Sequence, residues 1–297
     1  MAAKSALTAE AERLPLARAL AGRRALGRLL IADRTALAGL LIVAIVLAVA
    51  VAAPLLAPHD PNAQDVLNQF KPPSAQHLLG TDQFGRDELS RIIIGARISV
   101  LTSLAVGAAI LVIGVVVGTV SGLAGGLLDG AIMRVVDVLL AFPSVLLALA
   151  VAGTLGPGLG HLAVAMTLVW WVDYARLVRG LVLGVKEQQY IESARALGVS
   201  GRRLALRHVL PNVAPPIIVL ATLQTARLLL ALAALSFLGL GVAPPTAEWG
   251  AMLNDGKNFL DTAPQLMLYP GLAITITALG FNLLGEGLRD VLDPNLK

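Results

Sequence analysis

KEQQYIESARALGVSGRRLALRHVLPNVAPP, residues 186–216, is a polar, basic island in a chain that is otherwise mostly hydrocarbon. Apolar runs flank it on both sides, so in a bilayer this is the part that stays in water and can be touched from there. Tyr190, Ile191, Ala194 and Leu197 recur at helical spacing and predict one apolar face, with Glu192 and Arg195 pointing elsewhere. Gly198 ends that short helix, because a residue without Cβ takes the left-handed conformation of a tight C-terminal turn. Ser200 is placed to cap a second short helix, Pro211 closes it, and the next apolar run starts at once. Ser193, Ala194 and Ala196 are small enough for close approach. Two readings stand: a docking knob for a partner protein, or a basic loop that only sets topology.

Composition decides the broad class. The chain has 297 residues, 57% of them hydrophobic and 14% charged, with a mean hydropathy of +0.78. Soluble domains are nearer a quarter charged, and the apolar residues here cluster in long runs, so the fold class is an all-α polytopic membrane protein. The net charge of +4 does not point to nucleic acid, since no aromatic-rich basic patch accompanies it. Cysteine is absent, which excludes disulfides and cysteine chemistry. His59, His77, His161 and His208 share no metal-ligand spacing, so no metal site is expected.

Residues 1–34 form a basic segment with Lys4, Arg13, Arg18, Arg23, Arg24, Arg28 and Arg34, expected to stay cytosolic as a surface helix or as disordered chain. The apolar run that follows is too long for a signal-peptide core and is read as a retained first span, residues 35–57. Residues 58–97 form a second polar island, expected on the outer face. There Pro72-Pro73 forbids a continuous helix, Gly80-Thr81-Asp82 reads as a turn, and Asp82 is placed to start a helix through Arg91.

Residues 98–288 then hold five further spans, with the loop 186–211 between the fourth and fifth, and residues 289–297 form a cytosolic tail. Gly107, Gly114, Gly118 and Gly122 dot the first of these spans and permit close helix contact in lipid. A turn at Gly125-Gly126 leads to a span over residues 133–155, and the next covers 161–177. Arg134 with Asp137, and Asp173 with Arg176, are each three apart on a helix face and predict local pairs. The run 213–241 carries one charge, Arg227, roughly 24 Å along the helix from Pro211. It lines a pathway, or it snorkels to the outer interface or pairs with a partner subunit. The last span covers residues 266–285. Seven Lys and Arg precede the first span and seven lie in residues 176–207, which satisfies the positive-inside rule with both termini cytosolic.

ESARALGVSGRRLALRHVLPN resembles the EAA loop of ABC-importer permease subunits: Glu192, Ala194, Gly198 and Val209-Leu210-Pro211 match, with Ser193 in place of the first Ala. LLGTDQFGRDELSRIIIGARIS, which contains Asp82, Gly85, Arg86 and Asp87, resembles the N-terminal extension of the DppC/OppC-like permease in peptide and nickel importers. The resemblance covers nearly everything after about residue 30. It implies a MetI-like permease fold of six transmembrane helices, with a cytosolic coupling helix between the fourth and fifth. The coupling residues it implies are Tyr190, Ile191, Glu192, Ser193, Ala194, Leu197, Gly198, Leu210 and Pro211. Residues 58–97 are then either a connector that packs the first span or a surface that receives a binding protein. Relatives carry an acidic residue before LSFLGLG where this chain has Leu232-Ala233-Ala234.

No HExxH, no Gly-x-Ser-x-Gly and no P-loop occurs, so the chain is not expected to be an enzyme or to hydrolyse ATP itself. What the resemblance implies is a prokaryotic inner-membrane permease that forms half of the pathway for dipeptides or oligopeptides, or for nickel or another small solute. It implies a second, homologous permease, two ATPase subunits (identical or distinct) that carry ATP and Mg, and an extracytoplasmic peptide-binding protein, all set in membrane lipid. The competing class is a self-contained secondary transporter, which would show midplane carboxylates and inverted halves; here the membrane acids are expected near span ends.

Overall fold

A helix that is aliphatic on every side has no polar face to turn to water, and such helices dominate the computed structural model, which describes residues 33–292. The basic leader up to residue 32 and the tail from residue 293 lie outside the described residues. The first helix, α1 (Arg34–Leu56), opens on Asp33, whose side chain accepts the Ala36 N–H at 2.8 Å.

Helix α2 (Glu88–Ala124) opens on Asp87, not on Asp82 as expected: Asp87 Oδ2 accepts the Ser90 N–H at 2.8 Å. With 37 residues it is about 55 Å long, well beyond a hydrocarbon core of about 30 Å. The chain turns at Gly125 and Gly126 into α3 (Gly126–Leu140) and α4 (Ser144–Leu155). The single span expected over residues 133–155 is therefore two helices, meeting at 88°. Pro143 causes the break, because it has no N–H to donate and drives Phe142 out of the helical region.

Helix α5 (Leu159–Lys186) runs nine residues past the expected end at residue 177. After the polar loop with α6 (Gln189–Ala196) and α7 (Gly201–Leu204), the chain continues through a π turn (Ala205–Val209) into α8 (Leu210–Phe237). The short α9 (Trp249–Gly256) and the long α10 (Gln265–Leu292) complete the described residues. Among the described residues, four helical runs are long and apolar enough to cross a membrane: α1, α2, Gly201–Phe237 and α10; the bent pair α3/α4, taken as one, makes a fifth. Helix α5 is long enough as well, but Asp173, Arg176 and Arg179 interrupt its apolar character.

Small residues set the closest contacts, as expected for helices associating without a hydrophobic drive. A Cβ on Gly118 would come 2.6 Å from Ala175 O, and one on Gly122 2.7 Å from Val182 Cγ1, so the backbone of α2 packs directly on α5. Ile110, Leu162, Met166, Tyr174 and Leu232 bury together where α2, α5 and α8 meet, and Val100, Leu229, Trp249 and Ile274 form a second cluster further along. Lys186 Nζ donates to the carbonyls of Gly122 (3.3 Å) and Leu123 (3.2 Å), which puts the polar loop at the C-terminal end of α2. Asp87 caps the opposite end, a helix length away.

Candidate functional site

The polar loop is a short helix pinned by two residues. Ile191 is fully buried and Ala194 is 9% exposed, packed with Val178 and Val182 of α5 and with Val209, Val213 and Ile217. Tyr190 and Leu197, expected on that same face, instead stand 45% and 85% exposed. At eight residues α6 is too short for a wide stripe to reach the core, so only the i and i+3 positions nearest α5 are covered. Glu192, Ser193, Arg195 and Leu197 are left on the surface as one contiguous polar and apolar face.

Gly198 takes φ +78, and Val199 N–H donates to Ala194 O at 3.1 Å, the six-to-one bond of a Schellman turn. Ser200 occupies the N-cap position of α7, but its side chain makes no capping hydrogen bond. Pro211 does not close a helix. It sits in the first turn of α8, just past the π turn in which Leu210 N–H reaches back to Ala205 O, and the helical run continues unbroken to Phe237. The wider π turn gives a proline without an N–H a place in a continuous helix.

At the far end of α2, Asp82, Arg86 and Asp87 are each at most 3% exposed. Expected at the outer face, these side chains turn inward onto one another. Asp82 Oδ1 accepts the N–H groups of Phe84 (2.8 Å) and Arg86 (2.9 Å), while its Oδ2 takes Arg86 Nε at 2.6 Å. Arg91 lies 3.5 Å from the same oxygen and donates to the carbonyls of Pro61 and Pro245, each at 3.1 Å. Asp255 of α9 joins the network 3.7 Å from Arg86 Nη2. Gly85 (φ +73) sits against Asp65 O, where a Cβ has no room. This bonding fastens residues 58–87 to α2 and α9. Burial works against the charge on Asp87, but hydrogen bonds from Ser90 and His77 and the neighbouring His59 hold its carboxyl below the usual carboxylate range.

In sequence, His59 and His77 share no metal-ligand spacing. The fold brings both to Asp87, with one ligand atom from each of the three residues within 4.8 Å of the others. No regular interval between positions 59, 77 and 87 could have signalled it.

Arg227 is exposed on α8, with Gln224 Oε1 3.5 Å from Nη1. Asp173 of α5 faces Gln224, and its neighbouring cations are Arg227 and Arg176. Because α5 runs on to Lys186, Asp173 stands mid-helix rather than near a span end. The expected local pairs also differ: Arg176 pairs across to Asp137 of α3, and Arg179 pairs with Asp129. Helix α3 folding back beside α5 offers these cations partners that a view of one helix at a time does not contain. A signal for Glu248 was equally missing. Fully buried, it accepts Ser99 Oγ–H at 2.8 Å and caps α9 through the N–H groups of Gly250 and Ala251.

Residues 110–297 match the family described as binding-protein-dependent transport system inner membrane component, and residues 23–73 match the N-terminal TM domain of oligopeptide transport permease C. The chain is 46% identical over 266 residues to the glutathione transport system permease protein GsiD of Escherichia coli O6:K15:H31 (strain 536 / UPEC), covering 88% of this chain and 87% of that one. It is 40% identical over 265 residues to the dipeptide transport system permease protein DppC of Alkalihalophilus pseudofirmus, covering 89% and 87%.

Proposed function

This chain belongs to the family of binding-protein-dependent transport system inner membrane components, and on that premise we propose that it forms half of the translocation pathway of an ATP-driven importer of dipeptides or short oligopeptides. The named substrates of its relatives, dipeptide and glutathione, are both peptides, which supports that choice over nickel. The chain crosses the inner membrane six times, by α1, α2, the bent pair α3/α4, α5, α8 and α10, with both termini and the basic loop in the cytosol. Helix α5 tolerates its charges because Arg176 and Arg179 are paired with α3 near the loop end and Asp173 faces Gln224.

The observation that carries the mechanism is the build of the loop: Ile191 and Ala194 seat it on α5 and α8, while Tyr190, Glu192, Ser193, Arg195 and Leu197 remain exposed. A face fixed from behind and open in front transmits a push. The exposed side docks in a cleft of a cytosolic ATPase, and closure of the ATPase pair on ATP and Mg moves α6 and, through the continuous run from Gly201 to Phe237, the wall of the pathway. Arg227, on the exposed side of α8, lines that pathway. A second, homologous permease supplies the other wall, and an extracytoplasmic peptide-binding protein delivers substrate.

Reconstitution in liposomes tests this. With both permeases, the ATPase pair and the loaded binding protein, labelled dipeptide enters only when ATP is present. Uptake by this chain alone without nucleotide would overturn the reading.

A further inference from the structure

Three side chains that coupling does not use converge at the N-terminal end of α2. His77 Nδ1 lies 2.8 Å from Asp87 Oδ1, and His59 Nδ1 lies 3.6 Å from Asp87 Oδ2. The two imidazole rings stand with centroids 5.0 Å apart. A tetrahedral ion with bonds of about 2.1 Å holds its ligand atoms about 3.4 Å apart; His77 Nδ1 and Asp87 Oδ1 stand closer than that, one ligand atom from each of the three residues lies within 4.8 Å of the others, and a small shift of the exposed His59 ring completes the spacing.

We propose that His59, His77 and Asp87 form a binding site for a divalent transition-metal ion of the zinc class, with water completing the coordination. Two imidazoles and one carboxylate suit zinc, cobalt, nickel or copper. They do not suit magnesium or calcium, which call for six or more oxygens.

Each ligand hangs on a hydrogen-bonded frame. Ser90 N–H and Oγ–H both donate to Asp87 Oδ2, at 2.8 and 2.7 Å, which orients the carboxylate and turns Oδ1 toward His77 Nδ1, where an ion would replace the direct hydrogen bond between them. The same Ser90 Oγ accepts the backbone N–H of His59 at 3.0 Å, 31 residues away in sequence. His77 O accepts the N–H groups of Ser74 (2.8 Å) and Gly80 (2.9 Å), and its own N–H donates to Ser74 Oγ at 3.1 Å.

Access and charge agree with this. The side chain of His59 is 44% exposed and that of His77 18%, while Asp87 is 1% exposed, so an ion enters from water past the imidazoles onto a carboxylate at the base. The nearby guanidinium groups of Arg86 and Arg91 are matched by Asp82 and Asp255 and do not leave a net cation facing the ion. A bound ion would clamp both ends of residues 60–76 to the cap of α2, on the outer face in the topology proposed above.

The test uses the untagged chain co-purified with its partner subunits and stripped with EDTA. Cobalt(II) added to this complex gives the intense visible absorption of a four-coordinate ion, zinc displaces it, and zinc slows hydrogen exchange in residues 60–76. In His59→Ala the absorption is lost and zinc affinity falls at least about tenfold, while the thermal midpoint of the metal-free complex is unchanged, because that side chain is half exposed. His77→Ala also loses the absorption. Only the weak spectrum of six-coordinate cobalt in the native complex would overturn the proposal, and so would zinc affinity in His59→Ala equal to the native value.

Discussion

Arg179 of α5 grips Asp129 of α3 with two parallel hydrogen bonds, Nε to Oδ1 and Nη2 to Oδ2, both 2.6 Å long. Ser121 of α2 donates to the same carboxylate, so a single side chain ties three helices together at the end where the polar loop begins. Only a planar guanidinium makes that fork. Arg179→Lys should therefore lose most of the contact although it keeps the charge. A double-mutant cycle with Asp129→Asn, read from thermal unfolding in detergent, should give a coupling of about 1 kcal/mol, modest because the pair is partly open to water. No coupling would show that the fork does not hold α3 to α5.

Gly198→Val forces a β-branched residue to φ +78 and costs roughly 1–2 kcal/mol at the end of α6. A Cβ there meets no atom within 4 Å, so the damage stays in the backbone of the loop and leaves helix packing intact. Glu192→Arg reverses the charge of the exposed face. Both variants should insert and assemble with the second permease. ATP-driven peptide uptake should fall at least about tenfold, equivalent to ~1.4 kcal/mol in the barrier to transport. Native uptake by a well-inserted variant would remove α6 from the coupling path.

Ile191→Ala leaves the surface of the loop unaltered and hollows its seat. Loss of a fully buried isoleucine costs about 2–5 kcal/mol. The prediction is faster hydrogen exchange confined to residues 186–209, together with weaker coupling. Exchange rates like those of the native chain would mean that the loop is held by other contacts.

Arg227→Ala removes a cation from the exposed side of α8 and should change which peptides pass. Uptake of peptides with an added acidic residue should fall relative to neutral ones, at constant amounts of assembled complex. A uniform loss across substrates, matching a loss of assembly, would make Arg227 a subunit contact.

Acid should loosen the segment before α2. The Asp87 carboxyl ionises in the folded chain below the ordinary carboxylate value of about 3.9, so its charged form favours the folded segment. That contribution is complete above the unfolded value and is lost as pH falls through the lower folded one. In EDTA, hydrogen exchange across residues 58–87 should quicken over that acid range, and Asp87→Asn should show less of this dependence.

Glycine positions illustrate what carries over directly from sequence to fold. Gly118 and Gly122 predicted a close helix contact and make one, because a missing Cβ permits approach wherever the neighbour comes from. Gly198 predicted a left-handed turn and forms it, since that preference is local. Asp82 and Pro211 misled for the opposite reason. Each is a legitimate terminator or cap in isolation, and each was given another task by its surroundings: a buried ion pair for Asp82, a π turn ahead of Pro211.

The amino-acid order by itself determined which stretches are apolar enough to cross a membrane, because the transfer of a run of aliphatic side chains depends on composition and length alone. It also marked residues 186–211 as a polar stretch between apolar runs, and much of that stretch is exposed. Only the tertiary structure decided that Tyr190 and Leu197 face outward, that Arg176 and Arg179 reach across to α3, and that positions 59, 77 and 87 meet at one carboxylate. Those outcomes turn on which helices become neighbours and at what height, and a charge or an imidazole takes the nearest partner that the packed chain offers.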